Sequence, residues 1–151
     1  MKVVKIVLSS SLALFLLLLT CIQCTSMPKL QKESPTDITN SYYQKWNAGI
    51  QEGGSGIDLY IETKDTLVVL DSVFFRGYVG KLKRDPSNNK LFIARFKTIT
   101  KASESDSKWS FQIENTECVV GYLLESKTRY FKISDLKQQR TLNYPIAPSN
   151  K

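Results

Sequence analysis

The chain has 151 residues, 21 Lys and Arg against 14 Asp and Glu, and no histidine. Its length suits one domain of about 100–150 residues, and 11% aromatic residues supply enough apolar surface to exclude an intrinsically disordered chain. Without histidine, Ser-His-Asp and Cys-His nucleophile activation, histidine-ligated zinc and a histidine pH switch are ruled out.

Lys2 and Lys5 precede an uncharged apolar run over 6–19, IVLSSSLALFLLLL. Fourteen residues is the length of a signal-peptide core, whereas a membrane span needs about 20. The run is apolar all round, which argues against an amphipathic helix of the folded domain. An export signal is therefore expected over 1–20. Continuing through Ile22 lengthens the run to 17 residues, so an uncleaved anchor stays open as an alternative. The run ends in Leu18-Leu19-Thr20-Cys21, with an aliphatic residue three before the cysteine and a small one directly before it. This resembles the lipobox of bacterial lipoproteins, whose cysteine carries a diacylglyceryl thioether and becomes the new N-terminus; Thr20 and Leu19 depart from the smaller residues usual there. Cys21 is the expected lipidation site and Cys24 the alternative. Ordinary cleavage after Ser26, releasing a soluble secreted protein, is the third possibility. In an oxidising compartment Cys24 and Cys118 could pair; the other reading of Cys118, beside Val119 and Val120, is a buried small hydrophobe.

Residues 21–45 contain two prolines, several Ser and Thr and mixed charges without a period, and are expected to be a tether. The β-domain is expected over 46–144, with a tail at 145–151. Trp46–Gln51 leads into Gly53-Gly54-Ser55-Gly56, after which Ile57, Leu59 and Ile61 alternate with Asp58, Tyr60 and Glu62, the period of a half-buried strand. Further runs are expected at Thr66–Val69 continuing through Ser72–Leu82, at Leu91–Phe96, Trp109–Ile113, Cys118–Leu124 and Tyr130–Ile133. A turn is expected at Asp85–Asn89, a polar loop near 98–107, and a short helical turn at Ser134–Gln139. Short strands without crossover helices predict an all-β antiparallel sandwich or small barrel of about seven strands.

The Gly53–Gly56 loop is followed by a strand pattern and has no P-loop lysine, so it reads as a hairpin connection and not as a phosphate cradle. Asp58, Glu62, Asp65 and Asp71 include enough carboxylates for a glycosidase pair, but Asp58, Tyr60 and Glu62 have the spacing of a solvated strand face. Asp65-Thr66-Leu67 and Asp71-Ser72-Val73 resemble the Asp-Ser/Thr-apolar signal for O-glycosylation of exported Bacteroidota proteins, making Thr66 and Ser72 candidate acceptors. The net charge of +7 is uneven. Lys2 and Lys5 belong to the export signal, residues 21–125 are neutral with 13 charges of each sign, and residues 126–151 hold six basic groups against Asp135. Lys127, Arg129 and Lys132 are therefore a candidate surface for anionic headgroups or an acidic polymer, the alternative being a solvated strand face. Tyr60 and Tyr78, if they face outward together, would make a stacking platform for a sugar or peptide. No aromatic-basic nucleic-acid motif is present, and neither cofactor nor metal is expected.

The lipobox, the short tether, the Gly-Gly-Ser-Gly hairpin and the stretch Leu70-Asp71-Ser72-Val73-Phe74-Phe75-Arg76-Gly77 together resemble a group of small Bacteroidota lipoproteins. The resemblance implies a cell-envelope location and a β-rich fold, and carries over no catalytic residue. The expected function is that of a non-enzymatic, membrane-tethered binding or assembly protein with an envelope protein or glycan as partner. The alternatives are a carrier of a small apolar or sugar ligand and, less favoured, a small hydrolase.

Overall fold

A computed structural model describes residues 28–50, 53–98 and 111–145. The expected export signal, Cys21, Cys24, Trp109 and most of the expected polar loop lie outside them. The described residues form ten strands: β1 (Leu30–Gln31), β2 (Ile38–Asn47), β3 (Ser55–Thr63), β4 (Val69–Phe75), β5 (Tyr78–Lys81), β6 (Lys83–Arg84), β7 (Leu91–Thr98), β8 (Cys118–Leu124), β9 (Lys127–Ile133) and β10 (Lys137–Asn143). A first sheet has the order β1-β9-β8-β4-β5 and a second the order β10-β2-β3-β7-β6. The all-β sandwich expected from the sequence is the fold. Two of its strands, β1 and β6, are only two residues long, and each sheet includes one parallel pair, β1 with β9 and β10 with β2.

The apolar alternations supply the core. Leu59 and Ile61 of β3, Phe92 and Ala94 of β7, Val73 and Phe75 of β4, Cys118 and Val120 of β8 and Phe131 of β9 are almost completely buried and belong to one cluster. Rings join the two layers, with Phe75 5.2 Å from Tyr43 and 6.3 Å from Phe96 between centroids. A smaller apolar layer covers the outer face of the first sheet, where Phe111 packs 4.8 Å from Phe74 and 5.8 Å from Tyr130. Phe111–Ile113 thus lies over a sheet and not in one, which corrects that part of the strand expected at Trp109–Ile113.

Three other expectations are corrected. The tether cannot extend to residue 45, because β1 and most of β2 fall inside it. Most of the β2 side chains are polar and Tyr43 alone is fully buried, so the strand is held by its ladders to β3 and β10 and carries no hydrophobic period. The run Ser72–Leu82 is not continuous: Arg76 (φ 51°) and Gly77 (φ 81°) form a two-residue turn between Phe75 and Tyr78, matching a left-handed hairpin turn. The helical turn expected at Ser134–Gln139 is instead a corner followed by β10. Asp135 takes φ 60° and Leu136 is buried, its N–H donating to the Thr116 carbonyl at 2.9 Å. The Gly53–Gly56 connection is a hairpin as read, closed by the Ala48 N–H on the Gly54 carbonyl at 2.9 Å, and β7 is an interior strand between β3 and β6.

Glu117 fastens the segment before β8. Its carboxylate accepts from Lys132 Nζ at 2.7 Å, from the Ser134 hydroxyl at 3.3 Å and from the Glu114 N–H at 3.0 Å. The Lys132 hydrogen bond leads in holding the carboxyl below its ordinary range, with the Glu114 N–H next. Such a group stabilises the fold above its unfolded pKa, about 4.3, and that contribution disappears as pH falls through the lower folded value. Chemical denaturation across acid pH should show this loss, and Glu117→Gln should flatten it. At the corner, Asp135→Gly should leave the denaturation midpoint nearly unchanged, whereas Asp135→Val should cost about 1–2 kcal/mol, because a β-branched residue pays the full left-handed penalty.

Candidate functional site

Alternation in β2, β3 and β7 turns a set of aromatic and charged side chains to the outer face of the second sheet. Leu59, Ile61, Phe92, Ala94 and Phe96 face inward, so Asp58, Tyr60 and Arg95 face out. The ladder places Tyr42 against Tyr60, Gln44 against Asp58, Trp46 against Gly56, Asp58 against Arg95 and Gly56 against Lys97. Tyr42 and Tyr60 stack at 4.7 Å with an interplanar angle of 13°. Both phenols titrate above their ordinary range, principally because of burial, aided by Glu62 at Tyr42 and by Asp58 at Tyr60.

Asp58 organises this face. Its carboxylate accepts from Arg95 Nε at 3.0 and 3.2 Å, from Arg95 Nη2 at 2.9 Å and from Trp46 Nε1 at 3.1 Å. The Asp58 side chain is 5% exposed and that of Arg95 61%, so the ion pair has a sheltered anion and a solvent-facing cation. The hydrogen bond to Asp58 and its charge raise the Arg95 pKa further above the usual range. Trp46 lies across Gly56, where a Cβ would stand 2.6 Å from the indole and 2.3 Å from the Phe96 carbonyl; the close approach of ring and backbone requires glycine. Tyr144, just beyond β10, meets Trp46 edge-on at 6.5 Å. Trp46, Tyr144, Arg95 and Lys97 line an open recess of about 180 Å³. Two aromatic walls and two cations can hold a ring bearing an anionic group.

The residues singled out in the sequence are distributed differently. Tyr60 and Tyr78 do not form a platform. Tyr78 is in the first sheet, 6.1 Å from Phe96, while the partner of Tyr60 is Tyr42. Asp58 is not a solvated strand residue, because Arg95 and Trp46 shelter it. Glu62 shares its face, but Asp65 lies in the loop after β3, hydrogen-bonded to Thr36 and the Leu67 N–H, and Asp71 is in the first sheet. The four carboxylates therefore do not converge. Lys132 is tied to Glu117, whereas Lys127 and Arg129 lie at the start of β9. Thr66 is exposed in the β3–β4 loop; Ser72 is half-buried in β4, and its hydroxyl occupies the space a Cβ on Gly121 would need. Burial pushes the thiol of Cys118 up to about 12, which suits the buried-hydrophobe reading and leaves it unreactive. Among the described residues no group of three metal-ligating side chains is assembled. A second recess, of about 390 Å³, runs along Lys29–Glu33 with Tyr122 in its lining.

Sequence reasoning missed Trp46, Arg95 and Tyr144 as one site. The available signal was Tyr42-x-Gln44-x-Trp46, whose spacing sets three side chains on one strand face, but Tyr42 and Gln44 fell where a tether was expected and Trp46 stood at the first residue of the expected domain. No family model, curated protein or solved structure matches the chain.

The asymmetry of the ion pair makes a testable difference. Arg95→Leu strands a sheltered carboxylate and should destabilise by about 2–4 kcal/mol, towards the range seen when a buried charge loses its partner. Asp58→Asn frees an exposed guanidinium and keeps an acceptor for Trp46 Nε1, so it should cost about 1 kcal/mol, the worth of one hydrogen bond. Urea denaturation of the two variants checks the order.

Proposed function

We propose that the chain is an exported, membrane-tethered lipoprotein with a non-enzymatic binding role in the cell envelope, anchored through Cys21, and that the outer face of the second sheet is its binding face. The observation that carries the binding role is the recess between Trp46 and Tyr144 with Arg95 and Lys97 at its rim. Asp58 already engages Arg95, so of the two cations lining the recess Lys97 is the one left to meet the charge of a ligand. A ligand with a flat apolar face and a carboxylate, such as an acidic saccharide of the envelope, matches both features. The scatter of Asp58, Glu62, Asp65 and Asp71 supports binding over hydrolysis. The export signal and lipobox pattern, with the resemblance to small Bacteroidota lipoproteins, support the location.

A second reading, a carrier of a small ligand, draws support from the recess beside Tyr122, whose volume of about 390 Å³ falls in the usual ligand-pocket range of about 300–1,000 Å³. The space between the sheets is filled by Phe75, Phe92 and Phe131, which favours the surface recess as the binding face.

Two measurements test the proposal. Intact mass and membrane fractionation of the expressed chain should show a diacylglyceryl adduct that Cys21→Ala abolishes; unchanged mass and location would overturn the anchor. In a Trp109→Phe background Trp46 is the sole tryptophan. Titration with uronic-acid oligosaccharides should then quench it saturably, and neutral analogues should not. Lys97→Ala should weaken the binding about tenfold, as expected for loss of one charge-assisted hydrogen bond. A flat titration would overturn the recess as an acidic-saccharide site.

A further inference from the structure

The first sheet ends in an apolar point. Leu123 and Leu124 close β8 at 47% and 41% exposed, Val69 opposite Leu123 is 50% exposed, and Leu67 in the loop before β4 is 88% exposed. Water-facing leucines in a row are unusual when the core has taken most of the other large apolar side chains. The hairpin that carries them turns in two left-handed residues, Glu125 (φ 49°) and Ser126 (φ 63°), a tight and rigid connection. Leu124 pairs with Lys127, and Tyr122 with Arg129, so two cations stand directly behind the apolar tip, with Glu125 as the one carboxylate of the turn. Alternation sets Leu123 and Leu124 on opposite faces of the hairpin, which therefore presents apolar surface on both sides.

The path of the chain says what meets this point. β1 runs parallel to β9 with Leu30 beside Tyr130, so Lys29 and Pro28 lie back towards Arg129 and the β8–β9 turn. The described chain thus enters the domain at the apolar end, bringing Lys29 with it. Pro28 is seven positions beyond Cys21, a reach of at most about 25 Å when fully extended.

We infer that the β8–β9 hairpin tip, with Leu67 and Val69 beside it, is a membrane-docking surface: its leucines enter the interfacial layer of the bilayer in which the Cys21 lipid is anchored, and Lys29, Lys127 and Arg129 sit among anionic headgroups. The inference rests on the tether through Cys21, and the short connection keeps the tip within reach of the same leaflet. Apolar residues flanked by cations are the composition of an interfacial anchor. Docking there fixes the orientation of the domain on the membrane.

The test uses the full lipidated chain, purified from membranes with Cys24→Ser and reconstituted on vesicles. An environment-sensitive fluorophore is attached at Leu124→Cys or, as a control on the second sheet, at Lys45→Cys. On phosphatidylglycerol-containing vesicles the probe at 124 should be quenched by nitroxide-labelled lipid and the control should not. Lys127→Glu with Arg129→Glu should weaken tip residence about fivefold or more for each reversed side chain, and so should replacing the anionic lipid by phosphatidylcholine alone, while flotation with the vesicles is retained. Equal quenching at the two positions in protein that floats and carries the lipid mass overturns the docking surface and leaves the tether standing. A blue shift at 124 that grows with protein density and is insensitive to nitroxide lipid assigns the tip to self-association and also overturns it. Absence of the lipid mass overturns the tether, and the docking surface with it.

Discussion

The architecture depends on two segments about a hundred residues apart in sequence that cross between the sheets together. β1 continues into β2 and β9 into β10, each passing from the first sheet to the second, and they pair in the same direction in both. A chain that reaches its own beginning in this way cannot form antiparallel ladders there. The parallel pairs, rare in a fold of short hairpins, are the geometric consequence. The register offset falls from 100 at Leu30–Tyr130 to 95 at Tyr42–Lys137, so the first crossing is five residues longer than the second. The extra length forms the loop at 32–37, fixed to the β3–β4 loop by Thr36 on Asp65 at 2.9 Å and by Lys64 on Asp37 at 2.9 Å. The second crossing is short enough to need the left-handed Asp135.

Where the crossings leave the sandwich open, polar groups close it. Tyr43 donates to Gln138 of β10 at 2.7 Å and accepts from Arg76 at 2.6 Å. The Arg76 guanidinium lies 4.5 Å from the centroid of the Tyr43 ring and 5.0 Å from that of Phe75, and its Nε donates to the Asn115 carbonyl at 3.0 Å. One turn residue thereby joins the β4–β5 hairpin, the segment over the first sheet and the terminal strands, combining cation–π contact with hydrogen bonds that a simple apolar side chain would lack.

Strands β3, β7 and β8 were legible because they bury one face each: Ile57, Leu59 and Ile61, the run Leu91–Phe96, and Cys118, Val120 and Tyr122 all show it. β2, paired on both sides, and β10, at the sheet edge, were not, since a strand whose side chains mostly meet water has no apolar period to display wherever it lies in the sheet; Tyr43 is the lone fully buried residue of β2 and β10 is exposed almost throughout. The same blindness hid the recess. Alternation correctly turned Asp58 outward, but outward is not exposed once Trp46 and Arg95 close over it. Trp46 itself lies in the least patterned strand.

The sequence by itself determined the class of fold, the hairpin at Gly53–Gly56 and the limits that a chain without histidine places on catalysis, because these follow from local periodicity, turn chemistry and side-chain inventory. The tertiary structure decided which residues meet. The pairing of β2 with β10 and of β3 with β7 brings Trp46, Asp58, Arg95 and Tyr144 from distant positions onto one face, and the parallel return of β9 beside β1 puts the entry of the chain at the leucine tip. Such placements depend on strand register across the whole sheet, which no short window of sequence contains.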